Sequence, residues 1–355
     1  MVDLTHNHPA HLTDNLPVYK PPSEDQKRYV KELAPIANLT RRDVRVLLTA
    51  NFPEHPLTLS QVSNLINGQK RLAREVVDDN GGDMLSMVTL LMRLKQEDDR
   101  WVVHVEVDED TNRFRRAFIQ SPKQVERLAQ HDDVIINDVA LMRNKYNVPL
   151  NTWVIINHRN KTETIAYALH TTETIEDHEW VLRILFSSLP PNPSHVYVSD
   201  FDLALDHVVA SFGVRHILCL HHLSGNIAKN LAPVLGVLFQ PFLTRFWQVY
   251  YSISPACFDA RWERLLDDFP ASRSYLRKVM QPTKERWAWP WVAPTFTCGV
   301  RTTGRVEGEN SVNKKFGNSK TSLFQLVKSL IERADKQEEH EQLAVRSVRP
   351  LLLLH

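Results

Sequence analysis

Cysteine, glycine and long apolar runs are all scarce in this 355-residue chain, and each scarcity excludes a class of protein. Three cysteines are too few, and too odd in number, for the disulfide framework of a small secreted domain, so we expect a reducing compartment. The ten glycines form neither G-x-G-x-x-G nor G-x-x-x-x-G-K-[ST], which argues against a nucleotide-binding loop. The leucine run 351–354 is far below the roughly 20 residues that span a bilayer, and the N-terminus lacks signal-peptide features. We therefore expect a soluble, intracellular chain.

Net charge is also nearly absent, since 43 Lys and Arg balance 42 Asp and Glu to a formal +1. Any contact with nucleic acid must then come from local basic patches rather than a global positive field. The 43% hydrophobic content supports a sizeable core, and the length predicts two or three domains.

The N-terminal third is predicted to be helical after a mobile lead-in over residues 1–35. Thr40 and Asp43 form a capping-box-like start, and a second apolar stripe begins at Leu59. Basic residues follow that stripe: Lys70, Arg71 and Arg74. This spacing resembles a DNA-binding helix-turn-helix, but a plain helical hairpin with a solvated basic face fits equally well. Asp83 is expected to cap a third helix over 84–95.

From Trp101 onward the pattern of apolar residues changes from that of helices to that of β-strands. Two β-rich runs separated by DEDTN predict a hairpin, and further strands are predicted over 152–157 and 163–169. A helix over 176–186 and two strand–helix units, starting near 195 and 214, complete the order of elements. We predict an α/β fold with a ribonuclease H-like mixed sheet, preceded by the helical N-terminal region.

Residues 232–300 carry no strand pattern and contain five tryptophans, which predicts a helical insertion. Trp287, Trp289 and Trp291 alternate; if extended they would stack on unpaired bases, and otherwise they pack inside the insertion. The predicted divisions of the chain are a lead-in over 1–35, a helical DNA-binding-like region over 36–100, the first part of the α/β core over 101–231, the insertion over 232–300, the second part of the core over 301–340 and a tail over 341–355.

Two aspartates, Asp138 and Asp200, are each predicted to stand where an apolar strand stops. Neighbouring strands lie about 4.8 Å apart, so carboxylates at the same sheet edge can share divalent ions. Magnesium suits such oxygen ligands. The alternative is that each aspartate only forms a turn or caps the next helix.

Longer motifs surround these aspartates. Asp138 opens DVALMRNKYNVPL, Asp200 lies in VYVSDFDLAL, Cys219 and His222 lie in CLHHLSGN, and Glu307 lies in RTTGRVEGENSVNKKF. As a set these motifs resemble those of Mutator-like element transposases, relatives of the domesticated far-red-response transcription factors of plants. Matching positions of the family motifs are Asn144, Pro149, Leu150, Ala204, Leu205, Thr302, Thr303, Arg305 and Asn310.

The resemblance implies a nuclear DDE-type transposase in which Asp138, Asp200 and Glu307 hold two magnesium or manganese ions and act on terminal inverted repeats and target DNA. It implies no membrane partner and is compatible with a homo-oligomer. Glu309 is a rival for the third carboxylate, but residues two apart on a helix point roughly 200° apart and the motif favours Glu307. Arg305 and the basic residues near it, Arg301, Lys314 and Lys315, are expected to meet phosphates, although a solvated face explains them almost as well.

Cys219 and His222 have two interpretations. A closed structural zinc site needs four ligands, whereas Cys-x-x-His offers two. We therefore expect this pair to brace the site and expect no zinc. His6 and His8 resemble the close of the family's zinc finger, whose cysteines would lie upstream of Met1; otherwise they belong to a flexible terminus. Either interpretation predicts weak sequence preference on DNA.

The sequence also departs from the family. Ala140, Leu141 and Met142 replace polar residues usual after the first aspartate, and Gly304 and Gly308 replace Asn and Ser beside the glutamate. A domesticated regulator that binds DNA without cutting is therefore the principal alternative to the enzyme, and a protein that keeps only the fold is a weaker one.

Overall fold

The computed structural model describes residues 21–33, 40–68, 82–108, 113–141, 143–187, 189 and 195–334. The chain divides into two units, Met1–Arg74 and Glu75–His355, and each is described by itself.

The first unit contains helices α1 (Glu24–Leu33), α2 (Arg41–Asn51) and α3 (helical over residues 59–68). The predicted capping box begins α2, because the Thr40 hydroxyl accepts from the Asp43 N–H and the Asp43 carboxylate accepts from the Thr40 N–H. One small core joins the three helices, and its buried members are Val30, Leu33, Val44, Leu48, Leu57 and Val62. The helical character predicted for this region is confirmed.

Regular structure begins earlier than predicted, since α1 falls within the stretch 1–35 interpreted as a lead-in. Its buried stripe is Gln26, Val30 and Leu33, at i, i+4 and i+7. One of those three is polar, so the apolar signal is too short to stand out among charged neighbours. Lys70, Arg71 and Arg74 lie outside the described residues, and the helix-turn-helix stays a prediction.

The second unit contains a seven-stranded sheet and most of the helices. The strands are β1 (Val102–Asp108), β2 (Arg113–Gln120), β3 (Val134–Ala140), β4 (Leu150–Ile156), β5 (Thr162–His170), β6 (Val196–Ser199) and β7 (Arg215–Leu218). The helices are α4 (Asp83–Glu97), α5 (Pro122–Gln130), α6 (Ile175–Phe186), α7 (Leu203–Ser211), α8 (Leu220–Leu235), α9 (Phe239–Tyr250), α10 (Pro255–Asp268), α11 (Arg273–Tyr275), α12 (Lys284–Trp287), α13 (Trp289–Val292), α14 (Gly304–Asn313) and α15 (helical over residues 323–334).

The sheet has the order β1-β2-β5-β4-β3-β6-β7. β3, β6 and β7 run parallel, and the remaining neighbours are antiparallel. Helices α5, α6 and α7 pack on one face, while α4, α14 and α15 pack on the other. Every residue of the central strand β4 is buried, because both faces are covered. This confirms the predicted α/β fold with a ribonuclease H-like mixed sheet.

Helix α4 belongs to this second unit, so the observed division near residue 74 differs from the predicted one at residue 100. The expected role of Asp83 is also wrong. Gly82 is the N-cap of α4, and the buried Asp83 carboxylate accepts hydrogen bonds from the N–H groups of Leu323 and Phe324, both at 2.9 Å. Asp83 therefore caps the start of α15, whose position beside α4 only the folded sheet determines.

Residues 232–300 contain helices and turns but no strand, which confirms the helical insertion. Trp287 is buried and stacks on Phe246, with ring centroids 5.6 Å apart. Trp289 and Trp291 lie on the short helix α13, not on an extended segment. The tryptophans therefore pack within the insertion.

The continuous helical run Leu220–Tyr250 is long and apolar enough to cross a membrane by length and composition, with 31 residues and a mean hydropathy of 1.2 in its most apolar window. Its Phe242 and Phe246 lie in the aromatic core of the insertion. One face of the run therefore packs inside the insertion, while 22% of its most apolar window is buried.

Candidate active site

Asp138 lies inside β3, where it pairs with Thr152 of β4. The predicted position at the strand end is wrong by two residues. Val139 and Ala140, which follow Asp138, still pair with β4 and so belong to the strand. Side chains alternate along a strand, so Asp138 shares the sheet face of Ile136, which packs against α14.

The surroundings of Asp138 disfavour its charged form. Burial, followed by the negative charge of Asp200, raises the pKa of Asp138 to about 6, and the charge of Glu307 adds a smaller effect in the same direction. The Asn310 amide opposes these effects by donating to Asp138 Oδ2 at 2.8 Å. The carboxylate is thus held by α14 and influenced by both of the other predicted acids.

Asp200 directly follows β6, as predicted. Because β6 lies parallel beside β3, Asp200 emerges at the carboxyl edge that Asp138 approaches. His222 of α8 brings its Nδ1 within 2.5 Å of Asp200 Oδ1. That close contact, and next the contact with Cys219, raises the pKa of His222 to about 10. At neutral pH an imidazolium therefore faces Asp200.

Glu307 lies in the first turn of α14, and Thr303 connects it to α8. The Thr303 hydroxyl donates to Glu307 Oε1 at 2.7 Å, while the Thr303 N–H donates to Cys219 Sγ at 3.2 Å. Although burial raises the pKa of the Cys219 thiol, hydrogen bonds from His222 and Thr303 outweigh it and lower the pKa. The contacts that a bracing role for Cys219 and His222 requires are therefore present.

The structure brings Asp138, Asp200 and Glu307 to one region between the sheet edge and α14. They are not packed as tightly as Asp200, Cys219 and His222, whose ligand atoms all lie within 4.8 Å of one another and form the one such metal-ligand group in the described part of the chain.

Glu309, the rival third carboxylate, points elsewhere. It pairs with Arg333 of α15, which also donates to Asn313 at 2.7 Å. The helical geometry that separates positions 307 and 309 therefore leaves only Glu307 beside the aspartates.

The predicted phosphate-binding residues fall into two groups. Arg305 donates to Asn160 O at 3.1 Å and to Thr162, so its guanidinium holds the β4–β5 turn rather than standing free. Arg301 lies over the Trp289 ring, 3.7 Å from its centroid. Lys314 and Lys315, in contrast, are exposed at the end of α14.

Sequence reasoning missed the partners of the carboxylates. Asn310 and Thr303 were visible within the glutamate motif, and their regular spacing from Glu307 was a usable signal. Thr152 gave no signal, because its place opposite Asp138 depends on the β3–β4 register. In the altered segment, Ala140 is buried and Leu141 is exposed, while Met142 lies outside the described residues.

Comparison with known proteins supports the resemblance inferred from these motifs. The family model of the MULE transposase domain matches residues 134–226, which include Asp138, Asp200, Cys219 and His222 but not Glu307.

Three similar proteins come from Arabidopsis thaliana. FAR1-RELATED SEQUENCE 4 is 26% identical over 280 residues, covering 76% of this chain and 37% of that protein. FAR-RED IMPAIRED RESPONSE 1 is 22% identical over 275 residues, covering 77% and 32%. FAR1-RELATED SEQUENCE 2 is 21% identical over 276 residues, covering 76% and 34%.

The chain spans about a third of the length of these curated relatives. Residues 134–226 thus match the MULE transposase domain, and the chain is similar to the far-red-response proteins.

Proposed function

We propose that this chain is a DDE-type transposase core that cleaves and joins DNA strands by metal-dependent phosphoryl transfer. The observation that supports the proposal is that Asp138 lies near enough to Asp200 and Glu307, which come from distant positions in the chain, for the negative charge of each to raise its pKa. A turn-forming or helix-capping role would not bring them together.

The residues fit divalent ions of the magnesium class. Three carboxylates supply hard oxygen donors, and the pKa of Asp138, raised to about 6 by burial and then by the charge of Asp200, is what crowded acids without a cation display. Asp138, Asp200 and Glu307 would hold two Mg²⁺ or Mn²⁺ ions. When bound, such ions activate water or a DNA 3′-hydroxyl and stabilise the leaving oxygen.

The chain's own residues orient these acids. Above pH 6 Asp138 is mostly ionised, and the Asn310 amide holds its Oδ2. Thr303 holds Glu307 against α8, and His222 balances the charge of Asp200. Oriented carboxylates need no rearrangement when a substrate phosphate arrives, which is the electrostatic preorganisation that catalysis requires.

DNA is the partner that this proposal requires. Lys314 and Lys315 extend the site face with two exposed positive charges, and Arg301 lies at the base of the insertion. We assign phosphate contacts to these three residues, whereas Arg305 holds the β4–β5 turn. Action on terminal inverted repeats and target DNA, and nuclear localisation, follow from the proposal.

A plasmid-nicking assay tests this function. Purified chain with supercoiled DNA should produce nicked product only with Mg²⁺ or Mn²⁺, and Asp200→Asn and Glu307→Gln should each abolish it. Glu309→Gln is the matched control from the same helix and should retain nicking. Cleavage by Asp200→Asn at the wild-type rate would refute the mechanism.

A second candidate function is a DNA-binding regulator without cleavage activity. Two observations favour it: the similar proteins are named for far-red response, and Ala140 and Leu141 replace polar side chains beside Asp138. A regulator would bind DNA equally well as wild type and as Asp200→Asn, with no nicking by either.

A further inference from the structure

Asn310 joins two of the site acids. It lies on α14 one turn after Glu307, so the two side chains share a helix face, and it is only 4% exposed. Its Nδ2 donates to Asp138 Oδ2 at 2.8 Å across the gap between the helix and β3. One buried amide therefore fixes the helix that carries Glu307 to the strand that carries Asp138.

Thr152 holds the other end of that amide. It is fully buried on β4, opposite Asp138, and its hydroxyl donates to Asn310 Oδ1 at 3.0 Å. The two ends of an amide have nearly the same shape but opposite hydrogen-bonding character. Because an ionised carboxylate can only accept, Nδ2 faces Asp138, and the Thr152 hydroxyl donates to the Oδ1 that remains, so the amide is held at both ends.

We propose that Thr152 and Asn310 are positioning residues that orient Asp138 for divalent-cation binding. This inference rests on the proposed function. With Oδ2 held by Asn310, Oδ1 and the remaining lone pair of Oδ2 stay available to a cation. Partners that orient a metal ligand in this way contribute to affinity although they never touch the metal.

A purely structural role makes a different prediction. If the two residues only satisfy buried polar groups, removing the Thr152 hydroxyl lowers stability and leaves cation affinity unchanged. If they orient Asp138, affinity falls by an amount that the loss of stability does not explain, and a side chain that restores the hydroxyl restores the affinity.

Mn²⁺ binding to the full chain, followed by electron paramagnetic resonance without DNA, separates these roles. Thr152→Val should weaken Mn²⁺ binding about tenfold, within the range found for partners of metal ligands, and Asn310→Ala at least as much. Thr152→Ser keeps the hydroxyl and should bind within about threefold of wild type, well short of the roughly tenfold loss expected when a partner of a metal ligand is removed.

Asn313→Ala is the matched control. Asn313 is equally buried on the same helix, but its partner is Arg333 rather than a site acid. This variant should lose thermal stability and keep Mn²⁺ affinity. Thermal unfolding of every variant identifies any that fails to fold, and the Thr152→Val and Thr152→Ser pair decides the inference without Asn310→Ala.

The outcomes separate the inference from the proposed function. Equal Mn²⁺ affinity in wild type and Thr152→Val overturns the positioning role and leaves the transposase proposal standing. Failure of the wild-type chain to bind Mn²⁺ at all overturns both. A loss in Thr152→Val that Thr152→Ser does not share supports the inference.

Discussion

At Gly317 the backbone runs so close to its neighbours that no side chain fits. A Cβ there would lie 2.5 Å from the carbonyl oxygen of Arg143 and 2.6 Å from Leu326 Cδ1. The carbonyl belongs to the main chain, so it cannot rotate away. This close contact holds the turn that follows α14 against the segment that follows β3. It thereby connects the helix that carries Glu307 to the strand that carries Asp138.

We therefore expect Gly317→Ala to lower the free energy of unfolding by roughly 1–3 kcal/mol, the usual cost of overpacking. Gly308 is the matched control, because it lies inside α14 with nothing within 4 Å of its Cβ position. Gly308→Ala should stabilise by about 0.5–1 kcal/mol, since alanine is the better helix former. Denaturant unfolding of both variants measures the difference, and a change of the same sign in both would contradict this account.

The thiol of Cys219 offers a second test at a single residue. It lies with His222 and Asp200 in a group of three metal-ligand atoms, one fewer than a closed structural zinc site needs. We expect well under one zinc per chain in protein never exposed to chelator, because the thiol is already engaged by Thr303. Elemental analysis measures this content. Stoichiometric zinc that disappears in Cys219→Ser would reverse the assignment.

At the scale of elements, α4 and α15 are joined by one carboxylate. Asp83 accepts from two backbone N–H groups of α15, and Lys145 lies 3.6 Å away. Although burial raises the pKa of Asp83, the hydrogen bonds from Phe324 and Leu323 outweigh it and lower the pKa. The stabilisation is therefore present at neutral pH and is lost as pH falls through the lowered pKa.

Asp83→Ala should destabilise the second unit by roughly 2–4 kcal/mol, because two buried N–H groups lose their acceptor. Asp202→Ala is the control: Asp202 caps α7 at an exposed position, so its loss should cost only about 1 kcal/mol. Thermal unfolding at pH 7 compares them, and equal effects would mean that the long-range cap is no stronger than a local one.

Local signals account for which elements were predictable. Helix α2 begins at a capping box within four residues, and the strand–helix unit predicted to start near residue 195 is β6 followed by α7. Helix α5 carries an equally clear box at Ser121 and Gln124, with Pro122 between them, and sequence reasoning passed over it. The cap from Asp83 was beyond prediction, because 240 residues separate it from its partner.

At the scale of the whole molecule, the positions of the acids followed from motifs, but their orientation did not. The resemblance selected Asp138, Asp200 and Glu307 from 42 acidic residues. The amide of Asn310 and the hydroxyl of Thr152 meet only when α14 packs on the sheet in one register. Contacts of this kind depend on tertiary packing and carry no periodicity for a sequence pattern to display.

One contribution to the pH dependence of stability comes from a buried histidine, His216. Burial lowers the pKa of His216 to about 4. Asp206 lies beside this histidine but is already paired with Arg286. In the unfolded chain His216 is protonated as pH falls below about 6.5, whereas in the folded chain it is protonated only near pH 4. Stability therefore falls as pH drops through this window. The raised pKa of Asp138 acts in the opposite direction.

His216→Gln should lose less stability than wild type between pH 6.5 and 4, by up to roughly 3 kcal/mol. His221→Gln, at an exposed position on α8, is the control for the substitution of a histidine as such. Denaturant unfolding at several pH values provides the measurement. Parallel curves for wild type and His216→Gln would place the acid sensitivity elsewhere.

The segment from Leu220 to Arg301, which contains the helical insertion, is closed at its base, since the Leu220 N–H donates to the Arg301 carbonyl oxygen at 2.9 Å. It also contacts the rest of the unit further along, because Arg215 of β7 donates to the carbonyl oxygens of Glu285 at 2.7 Å and Trp291 at 3.3 Å, and Arg286 pairs with Asp206 of α7. We therefore expect a change in the length of this segment to leave Glu307 in place only if both the closed base and these contacts are kept.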